Sequence, residues 1–89
     1  MLKNNNFKED VNSMLEKLNA EKRKLELSGV ALKYREAGLK NLMEAFPNCD
    51  RTERITYLQK RLDVVKERVT KLEKAITAFE DIKATLDND

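Results

Sequence analysis

The sequence predicts an all-α protein, two long helices folded back on each other as an antiparallel coiled-coil hairpin. Three observations predict it: an apolar heptad repeat through residues 50–86, a second 4-3 repeat through residues 7–46, and Pro47 between them.

The second repeat in the chain is the more regular. With Ile55 placed in register a, the a positions are Ile55, Leu62, Val69, Ile76 and Lys83, and the d positions are Leu58, Val65, Leu72, Phe79 and Leu86. Only Lys83 interrupts the apolar pattern, and neither Gly nor Pro lies inside it. Such a 3-4 spacing reads as one helix over about residues 51–86, roughly 50 Å long at about 1.5 Å per residue. A rod of that kind cannot cover its own stripe and calls for a partner strand.

The first helix is expected over about residues 6–46, with Asn6 and Glu9 as a capping box. Val11, Leu18, Leu25, Leu32, Leu39 and Phe46 fill one register completely. Phe7, Met14 and Leu42 belong to the other, which fails at Glu21, Ser28 and Arg35. Gly29 and Gly38 fall in the same region, each costing about 1 kcal/mol relative to Ala inside a helix. The alternative to one long helix is a break at Ser28–Gly29, giving three.

Pro47 ends the first helix, because it lacks an N–H and pushes Phe46 out of the α region. Asp50 and Glu53 form a second capping box, and Asn48 suits the turn at residues 47–50. A loop this short between long helices makes them antiparallel neighbours in a single hairpin domain over residues 1–89. Residues that face each other should then have numbers adding to 97. Leu42 with Ile55, Leu39 with Leu58, Leu32 with Val65, Leu25 with Leu72, Leu18 with Phe79 and Val11 with Leu86 all satisfy this. The same hairpin sets Lys22 against Glu73 on one flank, and places Ile76, Val69 and Leu62 opposite Glu21, Ser28 and Arg35.

Composition agrees with long, solvent-bathed helices. Of 89 residues, 38% are charged and only three are Gly or Pro, so the core must be thin. Eighteen basic and sixteen acidic residues leave a net charge of +2 with the signs interspersed, which argues against a general nucleic-acid or membrane binder. Cys49 is the one cysteine, so no internal disulfide forms, and no apolar run suggests a signal peptide or membrane span; a cytoplasmic setting follows. The absence of histidine removes the usual acid/base group and the commonest metal ligand. No catalytic residue, metal ligand or cofactor is assigned, and the chain is read as non-enzymatic.

The residues that the hairpin seam leaves over suggest where a partner binds. One flank presents Ala31, Gly38 and Ala45 on the first helix and Arg68, Arg61 and Arg54 on the second. Beside them lie Leu27, Val30, Tyr34, Tyr57 and Val64. The assigned partner-binding strip is Leu27, Val30, Ala31, Tyr34, Gly38, Tyr57, Arg61, Val64 and Arg68: apolar, edged by arginine, and of a composition enriched at protein interfaces. Packing of these residues under long Arg stems is the plainer explanation. Lys22-Arg23-Lys24, flanked by Glu21 and Glu26, reads as a solvated face, and Cys49 as a turn residue. Glu21 and Arg35 would be the charges of a small helical enzyme of chorismate-mutase type, but no third helix builds a cleft around them, and snorkelling to the hairpin edge explains them.

The run LNAEKRKLELSGVALKYREAGLKNLMEAF, then ITYLQKRLDVVKERVTKLEKAI, resembles the antiparallel coiled-coil domain of Rho effectors, the REM or homology-region-one domain, over about residues 11–80. The KYREAGLKNLMEA stretch and the Leu-rich second helix carry the resemblance, while the order Ala37-Gly38-Leu39 departs from the family's usual Gly-Ala-Glu. It implies a hairpin that binds the switch regions of a Rho-family small GTPase, or a degenerate copy used as a scaffold. The functional expectation is therefore a protein-interaction module that binds a protein partner or self-associates as a homo-oligomer, dimerising into a four-helix bundle. The other class is a small helical scaffold or co-chaperone of a secretion system or phage, holding a helical client.

Overall fold

The computed structural model describes the backbone of residues 2–88 and the side chains of residues 6–88. It contains two helices, α1 (Leu2–Ala45) and α2 (Thr52–Asp87), packed against each other along a body of 70 × 15 × 14 Å. The heptads account for both: apolar residues at 3-4 spacing put a stripe on each helix, and each stripe is covered by the other. The fold class is thus the helical hairpin that the periodicity predicts.

Two local expectations are revised, and the alternative of a broken first helix falls away. α1 begins at Leu2, so Asn6 and Glu9 lie inside the helix and do not cap it; the residues before Asn6 include neither Gly nor Pro, and nothing there stops the backbone ladder. α1 also runs unbroken through Ser28 and Gly29, and no glycine takes a positive φ. At the turn, the N-cap of α2 is Arg51, whose side chain makes no capping bond, and not Asp50. Asp50 still helps from one residue further out, its Oδ1 accepting the Thr52 N–H at 3.0 Å. The connection spans residues 46–51, where the Cys49 N–H donates to the Phe46 carbonyl at 2.8 Å.

The core is two short clusters along one seam. Near the open end Val11, Leu15 and Ile76 are buried, with Leu18, Phe79 and Leu86 packed on them. Nearer the turn Leu32, Leu58 and Leu62 are buried, with Leu39 and Val65 beside them. Both expected rows of α2 face inward except at Lys83, which is exposed; so does the row from Val11 to Leu39 of α1, but Phe46, expected to close that row, lies past the end of α1 and is 62% exposed. Four of the expected pairings, Leu39 with Leu58, Leu32 with Val65, Leu18 with Phe79 and Val11 with Leu86, fall within a shared cluster.

The second row of α1 is different from the expected one. Phe7 is half exposed, Met14 is 40% exposed, and Glu21, Ser28 and Arg35 are exposed. The inward row is Lys8, then Leu15, Lys22, Gly29, Glu36 and Met43, four residues and not three after Val11, Leu18, Leu25, Leu32 and Leu39; at the turn end Leu42 is half-buried beside Met43. Gly29, buried, lies against Leu62, where the sequence placed Arg35: a Cβ on Gly29 would sit 3.5 Å from Leu62 Cδ1 and 3.6 Å from Val65 Cγ1. Leu15 likewise joins Ile76, where Glu21 was expected. Polar members of the row are tolerated because they reach the seam's edge. Lys8 Nζ lies 3.1 Å from Asp87 Oδ1 and Lys22 Nζ 3.5 Å from Glu73 Oε2, while Gln59 Nε2 donates to Glu36 Oε1 at 2.9 Å.

Candidate interaction surface

These polar pairs mark one edge of the hairpin, and helical geometry assigns the other residues relative to it. At about 100° per residue, a side chain two positions from Gln59 or Lys66 turns to the far edge. Tyr57 and Val64 are so placed, with the row Arg54, Arg61 and Arg68 between them and the seam. On α1, Arg35, Ala31, Gly38 and Ala45 turn to the same far edge. Val30 does not: it lines a shallow groove of about 510 Å³ on the paired edge, together with Gly29, Lys33, Val65 and Lys66. Leu27 and Tyr34 lie on the back of α1, 63% and 76% exposed. The nine residues of the assigned strip therefore divide, with Ala31, Gly38, Tyr57, Arg61, Val64 and Arg68 together and Leu27, Val30 and Tyr34 elsewhere. The division follows from the changed inward row, which rotates α1 about its own axis relative to the expected hairpin.

The arginine edge is organised around Tyr57. The Arg54 guanidinium carbon lies 5.2 Å and that of Arg61 5.8 Å from the ring centroid, so two cations are within cation–π reach of one ring. Across the seam, nothing comes within 4 Å of a Cβ built on Gly38, so the surface of α1 there is open. Toward the open end of the hairpin the same edge continues into Phe7, Met14 and Ile82, apolar and exposed. The sequence reading set Phe7 and Met14 in the seam and gave Ile82 no place. The signal for the true seam was present: Leu15 follows Val11 by four residues and precedes Leu18 by three.

The remaining candidates take plain positions. Glu21 and Arg35 are exposed, and no charged side chain is buried among the described residues. Lys22 is tied to Glu73, while Arg23 and Lys24 face solvent. Cys49 is a free, half-buried thiol in the connection. Among the described residues no group of three or more His, Cys, Asp or Glu side chains is placed to hold a metal ion, and no helix is long and apolar enough to cross a membrane. Two carboxyls are held below their usual range. Glu36 is lowered by the hydrogen bond from Gln59 and then by Lys40, whose Nζ lies 2.9 Å away; Asp50 is lowered by its hydrogen bonds with Thr52.

Fold and surface together define an antiparallel coiled-coil hairpin with one apolar, arginine-bearing edge. No protein-family model, no curated protein and no solved structure matches the chain.

Proposed function

We propose that this chain is a non-enzymatic protein-interaction module, in which the hairpin positions the edge bearing Tyr57, Arg61, Val64 and Arg68 for a protein partner. The observation that carries this reading is the balance of apolar side chains. Among the described residues six hydrophobic side chains are buried, whereas Phe7, Met14, Tyr57, Val64 and Ile82, all along one edge, stay 37–50% exposed. A body only 15 Å across has no interior left to take them, and exposed apolar groups on this scale mark interaction surfaces. A second copy is one occupant, covering exposed apolar side chains in a four-helix bundle. The KYREAGLKNLMEA resemblance favours a Rho-family small GTPase as the hetero-partner. A lone cysteine is in keeping with a reducing, cytoplasmic setting.

The open surface over Gly38 favours a second reading, a scaffold or co-chaperone that holds a helical client, because small residues let another helix axis come close. Light scattering over a concentration series tests self-association, with a mass of twice 10.4 kDa expected. Titration against Rho-type GTPases in both nucleotide states tests the effector reading, which requires preference for the triphosphate state. A monomeric mass at all concentrations together with equal or absent GTPase binding leaves the helical-client reading in force.

A further inference from the structure

All the ion pairs among the described residues are made by lysine: Lys8 with Asp87, Lys22 with Glu73, Lys40 with Glu36 and Lys71 with Glu67. Arginine, the better partner for a carboxylate because its planar fork binds both oxygens, makes none of them. Four of the arginines are gathered on one edge of the turn half. Arg54, Arg61 and Arg68 repeat every seven residues along α2, and Arg35 lies across the seam. Their heptad rows carry no carboxylate there: the α2 row continues into Ala75 and Ile82, and the α1 row from Ser28 to Leu42 is free of acid. Tyr57 lies within cation–π reach of Arg54 and Arg61, and Val64 follows it one heptad on, half exposed.

From this we infer that the edge of Arg35, Arg54, Arg61 and Arg68 is a docking surface for an acidic helical segment of a partner protein. The inference rests on the interaction-module reading and names the chemistry of its partner. Seven residues of helix rise about 10 Å. A partner helix bearing Glu or Asp at seven-residue spacing therefore meets successive guanidiniums of the α2 row in step. Apolar residues three or four positions from each acid fall on Tyr57 and Val64, and the bare backbone at Gly38 lets the partner axis approach. Charge complementarity fixes the orientation, because these arginines pair with no carboxylate among the described residues and need no ion pair broken before they bind. Interleaved tyrosine and valine, and a net charge of only +2, fit an amphipathic helix better than a phosphate backbone.

The test uses the full chain and labelled probes in fluorescence anisotropy. The first probe is a helical peptide with Glu at every seventh position and Leu three and four residues on; the second is its Lys-for-Glu twin; the third is a mixed-sequence oligonucleotide, single- and double-stranded. The Glu peptide is expected to bind at least tenfold more tightly than the Lys twin and than either oligonucleotide, and to weaken with salt. Arg61→Glu and Arg54→Glu should each lower its affinity about tenfold while circular dichroism stays that of the hairpin. Arg61→Lys should retain part of the binding. Equal binding of the two peptides, tighter binding of an oligonucleotide, no binding of the Glu peptide, or indifference to Arg61→Glu overturns the inference. Tyr57→Ser with Val64→Ser separates the two levels: if this pair abolishes self-association or GTPase binding while Arg61→Glu does not, the interaction module stands and the acidic partner falls.

Discussion

Lys22 Nζ lies 3.5 Å from Glu73 Oε2 across the middle of the hairpin, between the two buried clusters. The pair stands where the apolar seam is weakest. Lys22 belongs to the same row as Leu15 and Gly29, which faces α2, while Ser28 and Arg35 lie in solvent. As a partly exposed pair it contributes little to stability.

Exchanging the two charges tests that role. Lys22→Glu alone and Glu73→Lys alone each set like charges against each other, and the double exchange restores the pair. The coupling in a double-mutant cycle is expected at about 0.2–1 kcal/mol, shrinking in high salt. Urea unfolding of the four proteins measures it, and zero coupling at low salt would show that the contact is incidental.

Core truncation should separate the seam from the outer faces. Leu58 is 1% exposed and Leu32 6%, so Leu58→Ala or Leu32→Ala is expected to cost about 2–5 kcal/mol. Leu27→Ala, at a site 63% exposed, should change stability by less than about 0.5 kcal/mol in the unbound protein. Thermal melts followed by circular dichroism rank the three, and a large loss at Leu27 would mean that it is covered in solution.

The glycines offer a sharper check on which row is buried. Gly38→Ala meets open space, so it should stabilise the hairpin by about 0.5–1 kcal/mol through helix propensity alone. Gly29→Ala brings a methyl to ordinary contact distance of Leu62 and Val65, and a gain of similar size is expected. Gly29→Leu, in contrast, has to push those side chains aside and should cost about 1–3 kcal/mol. If Gly29→Leu proved as harmless as Gly38→Leu, Gly29 would not be in the seam.

Acid should weaken the fold through Glu36 and Asp50. Both carboxyls are depressed in the folded chain, below ordinary values of 4.5 and 3.8, so what they contribute is present above those values. It is lost as the pH falls through them toward the depressed folded values. Melting temperature should therefore drop between about pH 5 and 3. Glu36→Gln and Asp50→Asn should each flatten that drop; Asn at position 50 keeps the oxygen that accepts the Thr52 N–H while removing the charge. An unchanged slope in both variants would assign the acid response to other carboxylates.

The amino-acid sequence by itself determined that two long helices form and that they run antiparallel, because heptad spacing and the fixed φ of Pro47 are properties of the local chain. It also determined both inward rows of α2 and the row from Val11 to Leu39 of α1, where apolar residues leave no rival. For the second row of α1 the local signal pointed the wrong way. Phe7 and Met14 offer more apolar surface than Leu15, and a glycine with two lysines and a glutamate looks unfit for a seam. Only the tertiary structure decided for the poorer row, since its value lies in what α2 presents to it: carboxylates and an amide at the edge for Lys8, Lys22 and Glu36, and the side chains of Leu62 and Val65 filling the space that Gly29 leaves. That choice rotates α1 by one side-chain row: Ala31 and Gly38 keep the edge they share with Tyr57 and Arg61, and Leu27, Val30 and Tyr34 are turned away from it.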